Sequence, residues 1–189
     1  MKMDILTPAL DLPNYTTSEI TRLSSKPSSL INAQLIQIFE DELKNLYWSE
    51  KVIVKSISKM IQLASAHVLI EVLHIHLEEK KEHIKRVENA FKIIEKDPAE
   101  KKCISMTYLI EEAEIIMAAC NEGILCDEAI ISAGQKVEQY EIGIYGTLHR
   151  FAENLGLKDV ASILEKTLNE EIARDKKLAE IAASFNIAI

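Results

Sequence analysis

Apolar residues recur at steps of three and four along four stretches of this chain, the spacing that lines one face of an α-helix. The first stripe runs Leu35, Phe39, Leu43, Leu46, Glu50, Val54, Ile57 and Ile61. The second runs Leu69, Val72, His76, Glu79, His83, Val87, Ala90 and Ile94. The third carries Ile130, Gly134, Val137, Glu141, Ile144, Leu148, Phe151 and Leu155. The fourth carries Val160, Leu164, Leu168, Glu171, Asp175, Leu178 and Ile181. Each stripe is apolar at its ends and acidic or basic in its middle. A buried carboxylate costs several kcal/mol unless it is paired, neutralised or bound to a metal. Four such interruptions therefore demand a common explanation.

Local signals predict where the helices begin and end. Ser28 or Ser29, after Pro27, offers an N-cap for the first helix, and Ala64-Ser65-Ala66-His67 marks a turn. Asp97-Pro98 stops the second helix. Residues 99 to about 127 are too many for a hairpin turn. They hold a short amphipathic piece, Met106 to Met117, which reads as a crossover helix ended by Asn121-Glu122-Gly123. The third long helix runs from about Asp127 to Asn154, with Gly156 as its stop, and the fourth from near Lys158 to about Ser184. Residues 1–28, rich in Thr, Ser and Pro and without a period, read as an N-terminal arm or disordered tail; residues 29–184 read as one domain. Two long helical hairpins joined by a crossover predict an all-α chain, an antiparallel four-helix bundle. A longer helical array and a domain-swapped dimer are the alternatives.

Composition narrows the function classes. Five Gly and 4 Pro in 189 residues leave little punctuation for a β-rich fold. The net charge of −8 argues against electrostatic binding to nucleic acid or to an anionic membrane. No uninterrupted apolar run approaches the ~20 residues that span a bilayer, and Asp4 and Asp11 interrupt a weakly apolar N-terminus that lacks a secretory signal. Cys103, Cys120 and Cys126 form no C-x-x-C pair. They read as unpaired thiols of a reducing cytoplasm rather than a disulfide framework.

The acidic interruptions share a height. Glu50 lies 15 residues before Ser65 and Glu79 lies 14 after it; Glu141 lies 15 before Gly156 and Glu171 lies 15 after it. At ~1.5 Å of rise per residue each pair meets within about one residue. The halves also repeat: Glu78-Glu79-x-x-x-His83 matches Glu170-Glu171-x-x-x-Asp175, and Tyr47-x-x-Glu50 stands where the second half has Glu138-x-x-Glu141. Carboxylates and imidazoles at one level suit a dinuclear centre of divalent ions. The candidate metal ligands are Glu50, Glu79, His83, Glu138, Glu141, Glu171 and Asp175. His76 reads as a core histidine or an orienter of a ligand, Lys80 and Arg86 as solvated, Glu170 as a surface charge, and Tyr145 as core packing. A metal-free network of protonated acids and His–Glu pairs is the alternative for the central set.

Several stretches carry a resemblance. They are Asp41-Glu42-Leu43 with Tyr47-x-x-Glu50, His76-Leu77-Glu78-Glu79, Lys102-Cys103-x-x-Met106-x-x-Leu109-Ile110-Glu111-Glu112, Val137-Glu138-x-Tyr140-Glu141-Ile142-x-x-Tyr145-Gly146-Thr147 and Thr167-Leu168-x-Glu170-Glu171-x-x-x-Asp175. On these the chain resembles the YciF-like family of bacterial stress proteins. The resemblance implies a ferritin-like fold, an association with stress and a homodimer. Ferritin-like di-iron proteins usually carry Glu-x-x-His on two helices. Here the spacing is Glu79-x-x-x-His83, and Asp175 replaces the second His. The leading expectation is a metal-binding stress protein holding two iron or manganese ions, which when active oxidise ferrous iron or consume peroxide. The rival is a metal-free structural or interaction protein of the same fold. No catalytic residue is assigned, and nothing identifies the surface of an iron-storage cage.

Overall fold

The computed structural model describes residues 28–185, and the arm expected over residues 1–28 lies outside them except for Ser28. The described residues form five helices in order: α1 (Ser28–Leu63), α2 (His67–Ile93), α3 (Ile104–Ala119), α4 (Ile124–Asn154) and α5 (Lys158–Ser184). Among the described residues there is no strand, and no helix is long and apolar enough to cross a membrane. Two compact units divide inside α1, between Gln34 and Leu35. In the first, Leu30 to Gln34 are helical and exposed. All that follows concerns the second.

The helix ends follow backbone conformation more closely than the proline signals do. α2 ends at Ile93, short of Asp97-Pro98, because Glu95 adopts a left-handed φ of 56°. The Lys96 N–H then turns back to the Phe91 carbonyl at 2.9 Å. Gly156 does the same work after α4, as expected: its φ is 73°, and the Leu157 N–H reaches the Ala152 carbonyl at 2.9 Å. Asp127, the expected start of the third long helix, lies one turn inside α4 and is buried. Its carboxylate accepts from the Ser65 and Ala66 N–H groups at 2.7 and 2.9 Å, so it ties α4 to the turn between α1 and α2.

The three cysteines are not all unpaired. Cys120 and Cys126 form a disulfide across the link between α3 and α4, and Cys103 alone is free. The turn at Gly123 brings their Cα atoms to 5.3 Å, within the range a disulfide bridges. The six-residue separation carries no motif, so the pairing corrects the expectation of unpaired thiols.

Two apolar clusters fill the unit. One gathers Ile53, Ile57 and Met60 of α1, Leu69, Val72 and Leu73 of α2, Met106, Ala113 and Met117 of α3, Ile130 and Val137 of α4, and Leu178 and Ile181 of α5. The other gathers Phe39, Leu43 and Leu46 of α1, Val87 and Phe91 of α2, Tyr145 and Leu148 of α4, and Val160 and Leu164 of α5. Burying each large side chain contributes roughly 1.5–3 kcal/mol. α1 and α5 pass from the second cluster to the first, and α2 and α4 pass the other way. The positions between the clusters on these four helices are polar and buried.

Candidate metal centre

Four glutamates enter this polar layer from three helices: Glu50 from α1, Glu138 and Glu141 from α4, and Glu171 from α5. Each is at most 1% exposed. α2 adds His76, Lys80 and His83, and α4 adds Tyr145 one turn beyond Glu141. The steps 76, 80, 83 and 138, 141, 145 are helical steps of four and three, so each trio shares a face.

Two expected positions are taken by other residues. The stripe reading put Glu79 inward and Lys80 in solvent; the structure reverses them. Lys80 is fully buried, while Glu79 lies on the flank in an ion pair with Arg174. His76 and His83 are seven residues apart, so positions 79 and 80 both fit between them at helical spacing. Four buried carboxylates favour the cation there over a fifth acid. The same choice recurs on α5, where Arg174 is buried and Asp175 is half-buried at the edge. Asp175 accepts from Gln139 Nε2 at 2.7 Å and Gln135 Nε2 at 3.4 Å. Glu79 and Asp175 thus stand outside the buried group, and Glu50, His83, Glu138, Glu141 and Glu171 stand within it.

Lys80 holds the centre of the layer. Its Nζ donates to Glu141 Oε2 at 2.5 Å and Glu171 Oε1 at 2.7 Å, and lies 3.7 Å from Glu50 Oε2. Tyr145 donates its hydroxyl to Glu50 Oε1 at 2.5 Å. His83 Nδ1 lies 2.9 Å from Glu171 Oε1 and 3.7 Å from Glu50 Oε1. Its Nε2 bonds to Glu170 Oε2 at 2.9 Å, and Arg86 holds the same carboxylate. Glu170, expected on the surface, therefore links the layer to an open cleft of about 530 Å³ lined by Glu78, Glu79, Glu82 and Arg86. His76 Nε2 lies 3.1 Å from Glu138 Oε1 without the alignment of a hydrogen bond. A cavity of about 20 Å³ adjoins His76 and Glu138, lined also by Ser56 and Ile57.

The electrostatics follow from burial against pairing. Burial pushes the Glu138 and Glu141 carboxyls well above the usual range, outweighing the pull of Lys80. Burial opposes ionisation of Glu171 as well, but Lys80 and then His83 hold it well below the usual range. For Lys80 burial works against the charge, and Glu141, Glu171 and Glu50 overcome it, raising the ammonium well above its ordinary value. Burial, then the Lys80 charge, keeps His76 well below the usual imidazole range. Burial also opposes the charge on His83, but Glu171 and Glu50 raise it.

The donor set fits a metal. Glu50 Oε2, His76 Nε2, His83 Nδ1, both Glu138 oxygens and Glu141 Oε1 are buried without a hydrogen-bond partner. Orphaned buried polar atoms are rare and costly. Here all of them except Glu141 Oε1 belong to two groups that overlap at Glu171: Glu50, His83 and Glu171, and His76, Glu138 and Glu171. Within each group the donor atoms lie within 4.8 Å of one another. Mixed carboxylate and imidazole donors suit iron and manganese.

Known proteins share both sequence and fold. Protein YciF of Escherichia coli (strain K12) is 37% identical over 149 residues, covering 77% of this chain and 88% of that protein. The crystal structure of that E. coli stress protein matches with a TM-score of 0.76 at 35% identity, over 79% of this chain and 94% of that one. YcfI of Rhodopseudomonas palustris matches with a TM-score of 0.75 at 34% identity, over 82% and 95% of the two chains. A Xanthomonas campestris protein shares the fold at 19% identity, with a TM-score of 0.63 over 80% of this chain and 92% of its own. The family described as "Domain of unknown function (DUF892)" matches residues 34–186. The chain, all-helical over its described residues, is therefore a member of the DUF892 family, among the YciF-like proteins.

Proposed function

We propose that this chain is a stress-associated protein whose helices form a ferritin-like antiparallel four-helix bundle, with α3 in the crossover, and whose polar layer binds divalent iron or manganese. The observation that carries the reading is the set of buried donor atoms on Glu50, His76, His83, Glu138 and Glu141 that lack hydrogen-bond partners. Its place in stress rests on the likeness to the E. coli stress protein YciF.

The chain's own residues have distinct roles in this reading. Glu171 is common to both donor groups and stays ionised beside Lys80 and His83. Glu170 accepts from His83 Nε2, which orients the ring so that Nδ1 faces Glu50 and Glu171. Tyr145 orients Glu50 by donating to one of its oxygens. The apolar clusters on either side keep bulk water from the layer. Bound iron or manganese supplies a redox couple suited to oxidising ferrous iron or consuming peroxide.

Metal analysis of protein purified without chelators tests the proposal. Metal should be present, and chelator should lower the melting temperature by more than about 5 °C, since a ligand bound to the native state adds to its stability. Glu171→Ala, which removes the donor common to both groups, should remove the metal and Glu42→Ala should leave it. Equal metal content in all three proteins would refute the site. A second reading, a metal-free structural protein, is favoured by Lys80, which already pairs with Glu141 and Glu171 and faces Glu50. Absence of metal together with a melting point indifferent to chelator would establish that reading instead.

A further inference from the structure

The two donor groups are not equivalent, because one already holds a cation. Lys80 Nζ lies 2.7 Å from Glu171 Oε1 and 3.7 Å from Glu50 Oε2, and His83 Nδ1 approaches that same Glu171 oxygen at 2.9 Å. An ion held by Glu50, His83 and Glu171 would sit between two carboxylates, Glu50 and Glu171, that both already face a buried ammonium. Lys80 is 0% exposed, so its charge has no path to water from where it stands.

The other group shares Glu171 with the first, but its two remaining donors, His76 and Glu138, face each other rather than Lys80. Among the described residues Glu138 lies within ion-pair distance of His76 and of no lysine, and neither His76 Nε2 nor either Glu138 oxygen has a hydrogen-bond partner. Both side chains are at most 5% exposed. The adjoining cavity of about 20 Å³ has room for about one water, enough for a further ligand to an ion whose protein donors are three.

Resting on the metal reading above, we propose that Lys80 is the resident cation of the Glu50–His83–Glu171 group, and that the centre takes one divalent ion, held by His76, Glu138 and Glu171. Lys80 is then a positioning residue that sets the stoichiometry of the site. A ferritin-like bundle of this composition would be mononuclear, with an ammonium in place of its second metal.

Titration of chelator-treated full-length protein with Mn2+, followed by calorimetry and electron paramagnetic resonance, decides the matter. One high-affinity Mn2+ per chain with the six-line spectrum of an isolated ion is expected. Glu138→Gln should weaken binding by more than the roughly 10–100-fold that loss of a supporting partner costs, and Glu50→Gln should change it by less. Lys80→Met should admit a second ion and give an exchange-coupled spectrum. Two tight ions per wild-type chain, or equal loss in the Glu50 and Glu138 variants, would overturn the proposal. If Lys80→Met does not fold, the wild-type stoichiometry and the two glutamine variants still decide. No Mn2+ bound by the wild type overturns the metal reading itself, and this one with it.

Discussion

Lys80 Nζ stands 2.5 Å from Glu141 Oε2, and neither side chain has solvent-accessible surface. Removing one partner of a buried ion pair leaves the other uncompensated, at a cost of about 3–5 kcal/mol. In chelator-treated protein, Lys80→Met should lower the denaturation free energy by that amount. Lys59→Ala, which breaks the exposed pair with Glu114, should cost under about 1 kcal/mol. Similar losses in the two variants would show that the Lys80 contacts carry little of the stability.

The second prediction concerns pH. Glu138 is raised in the folded protein, chiefly by burial, and an unfolded Glu titrates near ~4.3. Above that pH the folded state holds the extra proton, so stability falls as pH rises, by up to ~1.4 kcal/mol per pH unit, until Glu138 ionises. His76, lowered by burial, acts in the opposite sense up to about pH 6.5 but does so in wild type and variant alike. Chelator-treated Glu138→Gln should therefore gain on the wild type as pH rises from 5. A difference that stays flat or shrinks in denaturation at several pH values would contradict this.

Tyr145 donates to Glu50 from a fully buried position. Tyr145→Phe keeps the ring and its packing but removes the donor, so a buried carboxylate oxygen is left unsatisfied. The expected loss is about 1–3 kcal/mol. A neutral substitution in urea denaturation would mean that another donor takes over.

The disulfide can be counted directly. Alkylation of unreduced, denatured protein should label Cys103 alone, and reduction should expose all three thiols to the reagent. The closed loop is short, so in the chain-entropy account the bond contributes only about 2 kcal/mol. Three labelled cysteines before reduction would show that the bond is absent.

Exposed Ile104, Tyr108 and Ile115 on α3 are spaced by four and seven residues, and so share one helix face. We propose that this face joins two copies in the expected homodimer. Light scattering should give twice the chain mass of 21.3 kDa, and Ile115→Glu should halve it. A monomeric wild type would refute the dimer; a dimer unchanged in the variant would place its interface elsewhere.

The sequence by itself determined the helices and the level of the polar layer. Stripes such as Phe39, Leu43 and Leu46 became a buried cluster because steps of three and four allow only one face to meet a core. Glu50, Glu141 and Glu171 stood out because each interrupts such a stripe, and all three are buried. The link after α4 was legible in Gly156, whose positive φ other residues adopt only with strain.

Only the tertiary structure decided which of two adjacent residues turns inward. Between His76 and His83, Glu79 and Lys80 satisfy the helical period equally, and after Glu171 so do Arg174 and Asp175. In both places the cation is the more buried. Periodicity on one helix cannot see that choice, because it depends on the charge that three other helices bring to the same level. The Cys120–Cys126 bond was hidden for a related reason. Six residues of spacing say nothing until Gly123 turns the chain and brings the two Cα atoms within 5.3 Å.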